Sequence, residues 1–198
     1  MNRIDFSKAQ YLAAAHYPDQ WPDDAGTEVA FAGRSNVGKS SAINAITNRR
    51  GLAKTSKTPG RTQQIVFFEL DETRRLVDLP GYGFAKAPEH LRAHWETFIT
   101  DYLVNRQCLR ALVIPMDIRR PLTDLDITML ECCWQIELPA HVLLTKADKF
   151  KRGKAMNTLQ AVKRQLRDKP QTSVQLFSAQ SRVGVEEARD AVQDFLAA

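Results

Sequence analysis

At 198 residues, 43% hydrophobic and 26% charged, the chain can bury the core of one α/β domain and is short for two. It holds no apolar run long enough to span a bilayer and no basic-then-apolar leader, and its three cysteines (Cys108, Cys132, Cys133) have no metal-ligand spacing. A helical membrane protein and a disulfide scaffold are thereby excluded, and a reduced cytoplasm is the expected setting. The net charge of +5 permits a polyanionic partner. The basic clusters at Arg49-Arg50, Arg119-Arg120, Lys149-Lys154 and Lys163-Lys169 read equally well as an RNA surface or as solvated helix faces.

Residues 1–26 carry Phe6, Tyr11, Tyr17 and Trp21 among prolines and acids, and read as an extension that lays its aromatics on a domain formed by residues 27–198. A strand near 28–33 leads into Gly33-Arg34-Ser35-Asn36-Val37-Gly38-Lys39-Ser40, which fits G-x-x-x-x-G-K-[ST] at every specified position. Glycines let successive amides turn inward around a phosphate, and the helix expected over 39–48 aims its N-terminus at the same anion. Lys39 supplies a mobile cation, and the Ser40 hydroxyl is a hard oxygen suited to Mg²⁺. The connection from Asn48 to Gln64 is long for a compact domain and lacks periodicity. Between a phosphate-loop helix and the next strand, it is where a nucleotide-sensing switch would sit.

Strands near 65–70 and 74–79 flank Asp71-Glu72-Thr73, a link too short for a crossover, so they are expected to form an antiparallel hairpin. The second ends in Asp78-Leu79-Pro80-Gly81, where a carboxylate can hold Mg²⁺ directly or through water and the Gly81 amide can meet a γ-phosphate. A helix over 88–104 places Trp95, Phe98 and Tyr102 at core spacing. His90 and His94 sit i,i+4 on it, but no third ligand is evident, so zinc is not expected. After a strand near 110–116, Pro121 precedes a helix over 123–134, on which Cys132-Cys133 should pack rather than react.

The strand near 140–145 runs into Thr145-Lys146-Ala147-Asp148. An Asp at this strand end can accept from guanine N1–H and the 2-amino group, donors that adenine lacks, and the Lys146 stem can lie over the base. A helix over 152–168 stops at Lys169-Pro170, a strand near 173–177 ends in Phe177-Ser178-Ala179, and a helix over 183–197 closes the chain. Alternation of short apolar runs with helical ones predicts six strands in a mostly parallel sheet, one antiparallel pair, and helices on both faces.

GRSNVGKS, TPGRTQ, DLPGYG, TKAD and FSA, in this order and at these separations, closely resemble the EngB (YihA/YsxC) family of bacterial GTPases, from about residue 27 to the end. The resemblance implies a Ras-like P-loop GTPase fold in the Era-like branch of translation-factor-related GTPases. It also implies hydrolysis of GTP to GDP with Mg²⁺, a role in large ribosomal subunit assembly, and a need in cell division and septation. Carried over, nucleotide contacts fall on Gly33 to Gly38, Lys39, Ser40 and Ser41; on Gly60, Arg61, Thr62 and Gln63; on Asp78, Leu79, Pro80 and Gly81; on Thr145, Lys146, Ala147 and Asp148; and on Phe177, Ser178 and Ala179. Magnesium ligands fall on Ser40 and Thr62, with Asp78 beside them; Thr62, just before a strand, is preferred to Thr55 and Thr58. The catalytic groups expected are Lys39, Thr62 and Gly81. The expected partner of this monomer is the precursor of the large subunit, its rRNA and proteins.

Many Ras-like enzymes place a water-orienting glutamine where this chain has Tyr82, so intrinsic hydrolysis should be slow or differently organised. Asn36 either helps to bind a potassium ion beside the phosphates or only stabilises the loop. Arg49, Arg50, Lys54, Lys57 and Arg61 are placed to contribute to a partner surface. Two other classes compete: a nucleotide-tuned binding module with little turnover, and a small-molecule phosphotransferase, against which the T-K-x-D segment argues.

Overall fold

The computed structural model describes residues 3–54, 64–82 and 89–197, with residues 89–96 described by backbone alone. The element order is β1 (Gln10–Ala15), β2 (Thr27–Phe31), α1 (Lys39–Thr47), β3 (Ile65–Glu69), β4 (Arg74–Asp78), α2 (Glu89–Asn105), β5 (Leu109–Asp117), α3 (Asp124–Gln135), β6 (Ala140–Thr145), α4 (Arg152–Gln165), β7 (Thr172–Leu176) and α5 (Val185–Leu196). These strands form one sheet in the order β1-β3-β4-β2-β5-β6-β7. From β4 to β7 every pairing is parallel, whereas β3 and β4 form the expected antiparallel hairpin.

The strand count is seven rather than six. Gln10-Tyr-Leu-Ala-Ala-Ala15 pairs antiparallel with β3 as an edge strand, bulged between Tyr11 and Ala13. Three alanines and no β-branched residue give it almost no strand propensity, so only the free edge of β3 recruits it. Of the aromatics before residue 27, Phe6 is buried and Trp21 packs on Phe98 and edge-on to Tyr102. Tyr11 and Tyr17 instead face solvent, because β1 presents Tyr11 on its outer side.

Alternation along the central strands sends side chains to opposite faces. Val29 and Phe31 join a core with α1 and α5 through Ile43, Ile46, Val185, Val192 and Leu196. Ala30, Leu112, Ile114, Val142 and Leu144 join one with α2, α3 and α4 through Tyr102, Leu130, Leu159 and Val162. Phe98 and Tyr102 lie in this core as their spacing predicts; the side chains of His90, His94 and Trp95 lie outside the described set. Both vicinal cysteines lie on α3, where burial raises both thiols, that of Cys133 to about 12, which disfavours the thiolate that a nucleophile needs.

Register fixes which strand ends meet. Phe31 lies beside Asp78 and Val113, Asp117 beside Thr145, and Leu144 beside Leu176. From β2 the chain crosses through α1 to β3, and from β4 it crosses through α2 to the other side of β2. The connections therefore diverge around β2 and leave a crevice at its carboxyl end, the usual ligand position in open α/β sheets.

Candidate functional site

Residues 33–38 leave the buried end of β2, and α1 begins at Lys39. Gly38 is required by its backbone, with φ at 103°. Gly33 is required by space, since a Cβ there would meet the Pro115 carbonyl oxygen at 3.0 Å. The first-turn amides of α1, at Lys39, Ser40 and Ser41, lack intrahelical acceptors by helix geometry and point into the crevice. Together with the positive helix end they form an anion site. Lys39 Nζ is in contact with Asp78 Oδ1 at the end of β4. Leu79 is buried, with its amide on the Phe31 carbonyl, and Pro80 and Gly81 follow beneath the loop.

Tyr82 closes that underside. Its amide donates to the Gly33 carbonyl at 3.2 Å, and its carbonyl accepts from the Ser35 amide at 3.2 Å. Its ring is 5% exposed, and the hydroxyl points at Asp126 Oδ1, 3.4 Å away. Burial, reinforced by the Asp126 charge, keeps the phenol protonated far above neutral pH. Ser35 Oγ, beside Gly81, is buried and has no hydrogen-bond partner among the described residues.

On the other side of the loop, Thr145 Oγ1 donates to the Val37 carbonyl at 2.5 Å, with the Met116 carbonyl 3.1 Å away. Lys146, in left-handed backbone conformation, reaches back to the Asn36 carbonyl at 2.7 Å and to Asp117 Oδ2 at 2.9 Å. Asp117 is further gripped by Arg119 at 2.6 Å. The Arg119 hydrogen bond, offset by burial and aided by Lys146, holds its carboxyl well below the usual range. Ala147 and Asp148 form a 3₁₀ turn, with the Ala147 amide on the Phe177 carbonyl at 3.1 Å. Asp148 Oδ1 accepts from Ser178 Oγ at 2.6 Å, and Oδ2 lies 3.0 Å from Lys149 Nζ. The Ser178 hydrogen bond outweighs burial, so the carboxyl sits below its ordinary value and is ionised at neutral pH. Ser178 Oγ in turn accepts from the Ser181 amide, and Ala179 follows at the same rim.

Four of the five predicted segments thus meet at one edge of the sheet. The fifth, Gly60, Arg61, Thr62 and Gln63, lies outside the described residues, as do Thr55, Thr58 and Lys57.

Asp117 and Asp126 were not expected at the site from sequence. Asp117 ends a parallel strand on the ligand side of the sheet, a position that could have singled it out. Asp126 looks like an ordinary capping-box acid, and it does cap α3 through the Thr123 amide at 3.1 Å and hydroxyl at 2.8 Å. Only the fold adds its ion pair with Arg34 Nε at 3.1 Å, while Arg34 also donates to the Arg120 carbonyl. Fully buried Asp126 therefore ties the loop after β2, Tyr82 and the α3 N-terminus together. Asp126→Ala is expected to cost about 2–3 kcal/mol by chemical denaturation, from the lost cap and charge-assisted bonds. Tyr82→Phe, which removes one long hydrogen bond, should cost less than about 1 kcal/mol.

A phosphate-loop strand, loop and helix in this sheet order, with helices on both faces, define the fold of P-loop GTPases. The family model described as "50S ribosome-binding GTPase" matches residues 28–146. A "Probable GTP-binding protein EngB" of Xanthomonas oryzae pv. oryzae (strain PXO99A) is 55% identical over 191 residues, covering 96% of this chain and 92% of its own. The protein of the same description from Stenotrophomonas maltophilia (strain K279a) is 53% identical, with 96% of both chains covered. Among solved structures, "Crystal structure of a probable GTP-binding protein engB" superimposes with a TM-score of 0.70 at 21% identity, over 86% of this chain and 99% of that one. The G domain of the T. maritima FeoB iron transporter superimposes at 0.55, over 85% and 98%. The chain belongs to the EngB family of GTP-binding proteins. No helix among the described residues is long and apolar enough to cross a membrane.

Proposed function

We propose that this chain is a GTP-hydrolysing switch that docks on a precursor of the large ribosomal subunit in one nucleotide state and leaves in the other. It is also needed for normal cell division and septation. The observation that carries the reading is the meeting of the Gly33–Ser41 loop, Asp78–Gly81, Thr145–Asp148 and Phe177–Ala179 at one sheet edge, in a chain whose family model is described as ribosome-binding.

In this reading the amide of Asn36 and those of Gly38 to Ser41 hold the phosphates, since the Ser35 and Val37 amides are engaged within the fold, and Lys39 exchanges its contact with Asp78 for the outer phosphate oxygens. Ser40 and Asp78 present the hydroxyl and carboxylate oxygens that Mg²⁺ prefers, beside a lysine that marks the place of the phosphate charge, and Thr62 completes the set. Bound there, Mg²⁺ would neutralise charge on the transferring phosphoryl group. The Gly81 amide and Thr62 sense the γ-phosphate, coupling Gly60–Gln63 to the nucleotide state. Asp148 and the rim formed by Phe177, Ser178 and Ala179 read the guanine, with Lys146 flanking it.

Tyr82 supports slow intrinsic turnover, because its hydroxyl is turned into the core towards Asp126 and cannot orient an attacking water. Charge must then come from outside the side chains described: from the particle, and from a potassium ion beside exposed Asn36, whose φ of 63° crests the loop. Single-turnover GTP hydrolysis is expected to rise by about tenfold or more with large-subunit particles, and to be faster in potassium than in sodium. Equal rates with and without particles would leave a nucleotide-tuned binding module. Equal rates in the two salts would remove the potassium site.

A further inference from the structure

The positive charge of this chain is not spread over it. Residues 149–169 hold eight of the 28 Lys and Arg and one of the 23 Asp and Glu, a local net charge of +7. The remaining residues together carry −2, against +5 for the whole. This segment is α4 with its flanks. Ala155, Leu159, Val162 and Leu166 are buried at helical spacing and seat the helix on the sheet, so its polar face is turned outward.

On that outward face Lys151, Arg152, Lys154, Lys163, Arg164, Arg167 and Lys169 are all exposed. Among the described residues, none of the seven is ion-paired with a carboxylate. Lys154 and Lys169 lie over the rings of Phe150 and Trp134, at 4.0 Å and 4.4 Å. Elsewhere, among the described residues, nine of sixteen cations meet an acid: Arg3, Arg34, Lys39, Arg74, Arg75, Arg106, Arg119, Lys146 and Arg189. A helix that concentrates charge without compensation loses stability by self-repulsion, and a polyanion relieves it.

We infer that the outward face of α4 is an RNA-backbone docking surface. The inference rests on the ribosomal reading above and names the surface that serves it. A rigid helix of 14 residues is about 21 Å long. Arg152 and Lys163 lie about 16 Å apart on one flank of α4, and Arg167 continues in the turn after it, so the stripe can follow successive phosphates. Duplex RNA is read through shape and phosphates, which suits a face with four lysines, three arginines and no base-reading loop. A membrane surface fits less well. The apolar stripe of α4 is spent on the sheet, and Met156 is its only large apolar side chain counted as exposed. The face starts three residues after Asp148, so it is rigidly joined to the base-reading turn.

The test uses the full chain with GDP or a non-hydrolysable GTP analogue. The triple reversal Lys163→Glu, Arg164→Glu, Arg167→Glu is set against a matched-charge control at cations assigned to no partner surface, Lys8→Glu, Arg74→Glu, Arg110→Glu. Binding is measured to a 20-base-pair RNA duplex, to purified large-subunit particles, and to vesicles rich in phosphatidylglycerol. The α4 variant is expected to lose at least about tenfold in RNA and particle affinity, with the slope of log K against log salt flatter by about 2–3. Its GDP affinity and melting should stay unchanged, and the control should retain RNA binding. Equal loss in both triples means a net-charge effect and overturns the inference, as does loss in the control alone or loss of vesicle binding alone. Particle binding that is intact in the α4 variant also overturns it while leaving the docking reading standing. If the wild type binds duplex RNA through α4 but no particle, the RNA face stands and the docking reading falls.

Discussion

Glu28→Ala is expected to destabilise the fold by about 3–5 kcal/mol, the range for breaking a buried ion pair and leaving its partner uncompensated. Glu28 is fully buried on β2, at the end of the sheet away from the crevice. It accepts from Tyr102 Oη at 2.7 Å and from Arg106 Nε and Nη2 at 3.0 and 2.7 Å. Arg75 Nε lies 2.8 Å from Oε1, near enough for attraction though its N–H is not aligned for a hydrogen bond. Arg106 also donates to the Pro22 and Asp23 carbonyls, which fastens the segment before β2. Burial alone would lower the Arg106 pKa, but its Glu28 bonds reverse that and keep the guanidinium charged.

With Glu28 gone, two guanidinium groups and a phenol face a void. For a domain of this size the loss corresponds to a fall in Tm of roughly 10 °C, readable by calorimetry. Glu28→Met with Arg106→Leu should cost less than the sum of the single changes, because the apolar pair strands fewer charges. An additive result, or a single-mutant loss below about 1 kcal/mol, would show that water reaches the cluster and that Glu28 does not organise it.

That cluster marks where sequence reading stops. The local motifs were legible because phosphate and base chemistry needs particular residue types at fixed spacing. GRSNVGKS reads as a strand–loop–helix anion site from eight consecutive residues. Asp148 is legible because TKAD follows the apolar run Val142-Leu143-Leu144, and Asp78 because DLPG closes a short strand downstream of the phosphate loop. Glu28 carries no such signal: a lone acid opening an apolar run looks like a strand terminus, and its partners lie 47, 74 and 78 residues away at Arg75, Tyr102 and Arg106. Asp126 hides behind its capping-box role, and β1 hides behind alanine. In all three, a neighbour supplied by topology decides the role. Lys146 shows both sides. Its place in TKAD leads to the expectation that it flanks the base, but only the fold shows it holding Asn36 and Asp117.

Asp148→Asn is expected to weaken GDP binding by roughly 10²–10⁴-fold, the effect of losing two charge-assisted hydrogen bonds at about 1.5–3 kcal/mol each. The Ser178 hydroxyl and Lys149 hold the carboxylate in place and ionised, so it can only accept. Guanine N1–H and its 2-amino group both donate, so a carboxylate held this way would pair with both. An asparagine offers one oxygen and an NH₂ that faces a like donor, whereas the 2-oxo group of xanthine welcomes it. XDP should therefore become the preferred ligand of the variant, with ADP weak against both proteins. Ser178→Ala removes the orienting bond and the acceptor of the Ser181 amide, and should cost GDP affinity no more than about tenfold, without a change of base preference. Fluorescent-nucleotide competition reads all of these. Unchanged GDP affinity in Asp148→Asn, or ATP competing equally in the wild type, would remove the base-reading role from this turn. Loss of all nucleotides together would assign Asp148 to holding the Phe177–Ser181 rim instead.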